Sequence, residues 1–346
     1  MNYFIVCENY KNTGVEKKIT GQKKALQKIG NYKFIGFSED RIFPRIFISP
    51  FKIILRLKNV EKIYYRYSSL NFLIHFFLVL FFKNKYYLEI NTKNRDELKF
   101  SKKKSFKNKI KYLFNLIWEK PLYKNSYKIV TFTREIKNYI NSIYKNNKTL
   151  IIENGYYENN VNYNDNINKR LIPPKAIRYK YKAIIASTFY PWAGVDLILD
   201  IIKNYKEIFL IIAGFGPEND KIAKKIKKER ITNVFMVGRK TSSELKILYK
   251  NCDFGFGTFA LDRKDMRMAK PLKVREYLIN GLPVIYKYRE SYPVSKMEFC
   301  FRYNGDKSEL DKFINNIDKF DKNRIKKFAR KKFDWEKIMR KVIDIS

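Results

Sequence analysis

Apolar residues in this chain fall into two kinds of run: short stretches rich in Ile, Val, Tyr and Phe, and longer ones in which they recur every three or four positions. In the first half the short runs are Tyr3–Cys7, Tyr32–Phe37, Lys62–Tyr67, Tyr86–Asn91, Lys128–Phe132 and Leu150–Ile152. Helical patterns alternate with them, among them Val15–Ile29, which starts just after Thr13-Gly14, and a helix after Thr131 capped by Thr133. That alternation is what a doubly wound parallel sheet requires. From Tyr156 to Tyr179 the pattern dissolves into Asn, Asp, Lys and a Pro173-Pro174 pair, the composition of a linker. Beyond it a second set follows: Lys182–Ser187, Ile208–Ala213, Val234–Val237, Phe254–Gly257, Pro283–Tyr286 and Phe299–Tyr303. A last helical pattern runs from Asn323 to Ile343. The expectation is an α/β chain of two Rossmann-like domains, 1–160 and 181–325, joined by a linker at 161–180. Residues 326–346 form a terminal helix able to cross back to the first domain.

One segment carries more chemistry than the rest. In PLKVREYLINGLPV, Pro271 suits a first helical turn, Gly281 an exit, and Pro283 blocks continuation. Val274, Tyr277 and Leu278 fall at core-facing spacing, which leaves Lys273 and Glu276 together on another face. Unpaired N–H groups at a helix start favour an anion, Lys273 adds charge for phosphate, and Glu276 can accept hydrogen bonds from two ribose hydroxyls. The plain alternative is a solvated surface pair worth about 0.2–0.5 kcal/mol.

Context decides between them. Ala186–Asp196 (ASTFYPWAGVD), Ile211–Pro217 (IIAGFGP), Asn233–Gly238 (NVFMVG) and Glu244–Gly257 (ELKILYKNCDFGFG) precede that helix in this order. Together the segments resemble the C-terminal nucleotide-binding domain of retaining GT-B glycosyltransferases, family four, most strongly over residues 181–290. The resemblance implies two Rossmann-like, doubly wound parallel-sheet domains facing a central cleft. It also implies transfer of a sugar from a nucleoside-diphosphate sugar, UDP- or GDP-linked, with retention and without a metal or other cofactor. In such enzymes the glycine loop after the first strand, here Gly14, approaches the reaction centre, and Gly214 and Gly216 border the nucleotide. Arg239 is placed to reach the diphosphate, and Pro271, Leu272, Lys273, Val274 and Glu276 form the donor-binding helix start. Arg66, Glu89 and Asn91, at strand ends of the first half, resemble acceptor-side segments, with local ion pairing or capping as the alternative.

The chain also departs from the family. Ser187 and Ala193 stand where members often carry Arg and Lys, and Met268 replaces the first glutamate of the common two-glutamate motif. Trp192-Ala193-Gly194, Arg263 and Leu272–Tyr277 instead match a capsule and surface-polysaccharide subgroup, in which Arg263 and Lys273 would replace the missing cations as catalytic groups.

Composition narrows the partners. The chain has 346 residues and a net charge of +39. It shows no zinc-finger, KH or RRM signature, so nucleic acid is not the expected partner. The basic segment Lys99–Lys111 suggests an anionic membrane surface, each lysine contributing about 1 kcal/mol near such a leaflet. The apolar run Phe72–Phe82 would span only about 16 Å as a helix, against roughly 30 Å of hydrocarbon. It reads as a helix buried against a sheet, with shallow interfacial docking as the alternative; His75 within it reads as packed. Cys7, Cys252 and Cys300 are widely spaced, against a disulfide framework or zinc site. The opening MNYFIVCENYK reads as a strand rather than a secretory signal. The expectation is a cytoplasmic enzyme, peripheral on the inner face of the plasma membrane, acting on a glycan or lipid-linked acceptor. Two other readings stand beside it: a degenerate pair of such domains binding nucleic acid or acting as a scaffold, and a sugar-nucleotide epimerase.

Overall fold

A computed structural model of the chain describes residues 1–8, 10, 14–37, 47–99, 106–157, 171–291 and 293–343. Thr13, residues 100–105 of the basic segment and residues 161–170 of the expected linker lie outside the described residues. The chain divides into two compact units, Met1–Tyr157 with Phe333–Ser346, and Glu158–Lys332.

In the first unit, β1 (Asn2–Cys7), β2 (Lys33–Phe37), β3 (Lys62–Arg66), β4 (Tyr86–Glu89), β5 (Lys128–Thr131) and β6 (Thr149–Ile151) form a parallel sheet in the order β2-β1-β3-β4-β5-β6. Strands in such a sheet are buried on both faces, which is why they read as continuous apolar runs. Phe4, Val6, Tyr64, Tyr87 and Val130 meet Ile19, Ala25 and Leu26 of helix α1 (Glu16–Gly30) in the core. The chain steps from β1 to β2 on one side and then crosses to β3 on the other side of β1, so the carboxyl ends of β1 and β3 border the crevice where open α/β sheets take ligands.

The second unit repeats the plan. Strands β7 (Tyr181–Ser187), β8 (Ile208–Gly214), β9 (Val234–Gly238), β10 (Phe254–Phe256), β11 (Val284–Tyr286) and β12 (Cys300–Arg302) are ordered β12-β11-β10-β7-β8-β9, all parallel. Its reversal point lies between β7 and β10. Ala183, Ile185, Leu210, Ile212, Phe254 and Phe256 fill its core.

Two expectations are corrected. The pattern Asn323–Ile343 is two helices, Lys322–Lys332 and Trp335–Val342. Asp334 separates them: its carboxylate accepts the N–H groups of Glu336 and Lys337 at 2.8 and 3.4 Å, starting a new helix, while Tyr156 N–H donates to Phe333 O at 2.9 Å. Trp335, Ile338, Met339 and Val342 then enter the first unit's core beside α1. The apolar run is the helix Phe72–Phe81, but only Ile74, His75 and Leu78 are buried, while Phe76, Leu80 and Phe81 face outward. His75 is packed: it bonds the Tyr65 hydroxyl at 3.0 Å and stacks on Tyr67, and burial pushes its imidazole down to about 3.

Trp335 is 4 % exposed in the core that joins the last helix to α1. Trp335→Ala should cost about 3–5 kcal/mol in urea denaturation of the whole chain. A loss below roughly 1 kcal/mol would show that the last helix is not integral to that unit.

Candidate active site

The helix Leu272–Ile279 follows β10 and therefore starts at the reversal point of the second sheet. Pro271, extended at φ −65° and ψ 138°, precedes its first turn. Val274, Tyr277 and Leu278 are fully buried, and the Tyr277 hydroxyl accepts the N–H of Ala186 at 2.8 Å, fastening the helix to β7. That anchor sets the outward face. Lys273 Nζ donates to Ser187 Oγ, at the end of β7, at 3.1 Å, and no other hydrogen-bond partner meets it among the described residues. The lysine side chain keeps some exposure, yet its ammonium has lost enough hydration that burial pulls it from 10.5 to about 7. One turn on, Glu276 accepts the Tyr249 hydroxyl at 3.1 Å, and the Tyr249 ring packs edge-on against Tyr277 at 5.4 Å. A hydroxyl, an ammonium, helix-end amides and a carboxylate thus share one strand edge.

The two candidate glycines of the β8 loop have a packing reason. Gly214 has φ +136°, and a Cβ there would stand 1.8 Å from Ser187 O; one on Gly216 would stand 2.5 Å from Phe189 N. They let the β8 loop lie directly on Ser187–Phe189. Between them Phe215 is exposed, with the Arg239 guanidinium 5.6 Å from its ring centroid. Gly14 sits in an exposed turn before α1 with open space around it.

Arg263 is engaged elsewhere. Its two terminal nitrogens donate to both Asp196 oxygens at 2.8 and 2.7 Å, and one also to Pro191 O at 2.9 Å. Burial alone would raise the Asp196 carboxyl, but Arg263 holds it below the ordinary range. This fork joins the turn Leu261–Lys264 to the first turn of the helix Val195–Ile202. Phe259 and Ala260 N–H groups donate to Ala193 O and Trp192 O at 3.1 and 3.2 Å, closing the same junction. Met268 pairs through its backbone with Arg289.

In the first unit Arg66, Glu89 and Asn91 do come together, at the ends of β3 and β4. Glu89 is wholly buried and accepts from Arg66 at 2.5 Å, Asn91 at 2.9 Å, Tyr64 at 2.7 Å and Gln22, with Lys18 Nζ 3.0 Å away. Arg66 also pairs with Glu8 across the reversal point, and Lys18 and Arg66 both donate to Asn91 Oδ1, at 2.6 and 3.0 Å. Burial alone would raise the Glu89 carboxyl, but Lys18 and Arg66 hold it well below the usual range. Lys18 is pulled below the ordinary ammonium value by burial, against the attraction of Glu89. With its lone pairs filled, Glu89 holds the cations in place and has none to spare for a ligand. Lys18, Gln22 and Glu8 were not foreseen; the four-residue spacing of Lys18 and Gln22 on one face of α1 was the available signal.

Comparison with known proteins bears on the fold around this geometry. The sequence profile described as Glycosyl transferases group 1 matches residues 169–294. An uncharacterized glycosyltransferase of Methanocaldococcus jannaschii is 28% identical over 227 residues, 62% of this chain and 57% of that protein. A second from the same organism is 24% identical over 204 residues, 57% of this chain and 50% of its own. The chain thus spans about half the length of the curated relatives it matches. Among solved structures, sucrose-phosphate synthase of Thermosynechococcus elongatus superposes with a TM-score of 0.74 at 13% identity, covering 99% of this chain and 98% of that one. Anabaena HepE in complex with UDP and glucose gives 0.66 at 13% identity, with coverage of 99% and 98%. The fold is that of the GT-B glycosyltransferases.

Removing Glu89 would strand two buried cations. Glu89→Ala should cost about 3–5 kcal/mol of stability in urea denaturation. Glu8→Ala, at a partly exposed carboxylate, should cost roughly 1 kcal/mol or less. Equal costs would contradict the buried network.

Proposed function

We propose that this chain, with its glycosyl transferases group 1 domain on a GT-B fold, is a retaining glycosyltransferase. It moves a sugar from a UDP- or GDP-sugar to a glycan or lipid-linked acceptor in bacterial surface-polysaccharide synthesis. The observation that carries this reading is the Lys273 ammonium beside Ser187 at the reversal point of the second sheet, on the first turn of a helix whose Glu276 faces the same edge.

In the reaction the bond between the anomeric carbon and the diphosphate oxygen breaks, and negative charge gathers on the departing diphosphate. Lys273 and the N–H groups that follow Pro271 meet that charge in this reading, in place of a protein-bound metal. Glu276 accepts hydrogen bonds from the ribose hydroxyls, and Tyr249 holds its carboxylate for them. Phe215 and Arg239 flank the nucleotide end, where an exposed ring and an exposed guanidinium lie together. Arg263, through its fork to Asp196, holds the Leu261–Lys264 turn in place. Arg66 and Asn91, held by Glu89 and joined by Lys18, form the acceptor side of the first unit.

Retention is the outcome carried by the resemblance to family four. The surface-glycan assignment is supported by the Trp192, Arg263 and Leu272–Tyr277 pattern. It is supported further by a fold neighbour described as involved in lipopolysaccharide biosynthesis, WaaG, with a TM-score of 0.59 at 12% identity. The excess of basic residues supports work at the inner face of the plasma membrane.

Titration calorimetry with UDP, GDP and their sugars tests the donor site. Glu276→Ala should weaken the preferred donor by about 10- to 150-fold, the loss of one charged hydrogen-bond partner of about 1.5–3 kcal/mol. Unchanged affinity would remove Glu276 from the site. Lys273 gives a second test with a defined sign. Its ammonium is charged below about 7 and neutral above, and only the charged form attracts a diphosphate. Donor affinity should therefore be greatest below pH 7 and fall by up to about tenfold per unit above it. Lys273→Met should flatten that profile, and a profile identical to the parent's would exclude Lys273.

A further inference from the structure

The first unit leaves one helical layer with its apolar side uncovered. The helix Ser49–Arg56 turns Phe51 and Leu55 outward, the helix Phe72–Phe81 turns out Phe76, Leu80 and Phe81, and the helix Phe106–Asn125 turns out Leu113, Leu116 and Ile117. Leu55 and Phe81 are each 63% exposed. Aromatic contacts tie the three helices into one layer: Phe47, just before the first of them, meets Phe72 at 5.7 Å, Phe72 meets Phe114 at 5.5 Å, and Phe76 meets Trp118 at 6.4 Å. Scattered exposed apolar residues are ordinary, but rows of them on three neighbouring helices mark a contact surface.

The exposed charges on these helices have one sign; the nearest carboxylate outside them, Asp96 beside Leu116 and Lys120, is partly buried and pairs with Lys93. Lys52, Arg56, Lys83, Lys109 and Lys120 are exposed on or beside the three helices. Over residues 106–125 the sole acidic residue is Glu119, which is buried and paired with Arg95. Over residues 47–88 it is Glu61, which pairs with the chain's amino terminus. An apolar face edged by cations matches acyl chains beneath anionic headgroups. A second copy of this chain would bring the same cations against these, so charge opposes self-association. Among the described residues no helix is long and apolar enough to cross a membrane, so contact is interfacial.

We propose that the outward faces of these three helices dock on an anionic bilayer surface, with Phe51, Leu55, Phe76, Leu80 and Phe81 entering the headgroup region and the surrounding lysines meeting lipid phosphates. This deepens the peripheral location proposed above, on which it rests, by assigning it to a particular face.

Co-sedimentation of the full chain with vesicles tests it. Binding is expected to phosphatidylcholine vesicles containing phosphatidylglycerol, weaker binding to pure phosphatidylcholine, and partial loss in high salt. The variant Leu55→Glu/Leu80→Glu/Phe81→Glu, altered only at exposed positions, should lose at least roughly 30-fold in partitioning and keep the parent's UDP affinity. No binding of the parent to either vesicle overturns the peripheral location itself. Parent-like binding by the triple variant overturns this face alone. A parent that is dimeric, with a monomeric triple variant, assigns the face to self-association and overturns the lipid proposal. Phe81→Trp, a conservative change, gives an independent reading: its added emission should be quenched by brominated phosphatidylglycerol, and an unquenched signal on bound protein refutes insertion there.

Discussion

A parallel sheet delivers the carboxyl ends of all its strands to one edge, and where the chain reverses direction along that edge two loops part and leave room. Both units put their charged groups at that point. In the first, Glu8, Arg66 and Glu89 end β1, β3 and β4; in the second, Ser187 ends β7 and the helix after β10 brings Lys273 to it. Sheet order therefore decides which residues can work together before any side chain is placed. Had β10 paired with β9 rather than β7, Lys273 would stand away from Ser187, and Tyr277 could not hold Ala186.

The two points are built differently, and the difference bears on what each can do. The first is closed: Lys18 and Arg66 are nearly fully buried against Glu89, and every charge meets an opposite one. Such a network fixes geometry at the expense of desolvating its ions, so its value lies in orientation more than in stability. The second is open. Lys273 has a hydroxyl where the first unit's cations have a carboxylate, and burial without a counter-charge lowers its ammonium. A cation in that state gains most from an incoming anion.

The central strands were legible because they are buried on both faces, so runs such as Ile208–Gly214 contain nothing but apolar residues and glycine; across both sheets end residues alone shifted. Lys273 and Glu276 were legible for a related reason, since the spacing of Val274, Tyr277 and Leu278 fixes which face remains. What stayed hidden depends on partners distant in sequence. Gln22 and Glu89 are 67 residues apart, as are Arg263 and Asp196, and nothing local announces either pair. The break at Asp334 was local, yet an N-cap inside an unbroken apolar period yields to the period until the cap's hydrogen bonds are seen. Gly214 and Gly216 show a third limit: their loop was recognised, but the close approach they permit is to Ser187 and Phe189, which only the folded chain reveals.

Ser187 is the residue at which these arguments meet. The family pattern often carries an arginine there, and an arginine at the end of β7 would place a second cation beside Lys273. Two like charges so close would lower the lysine further and disfavour its charged form in the empty site. Serine avoids that conflict: its hydroxyl accepts from Lys273 while donating to Thr188 O at 3.1 Å, and its own carbonyl lies where Gly214 must leave room. The missing arginine is thus matched by local geometry that supports one cation well; in the function proposed above, that leaves charge neutralisation to Lys273 and the amides behind Pro271. A donor held mainly by one ammonium and a helix start depends on that lysine more steeply than one shared between two cations.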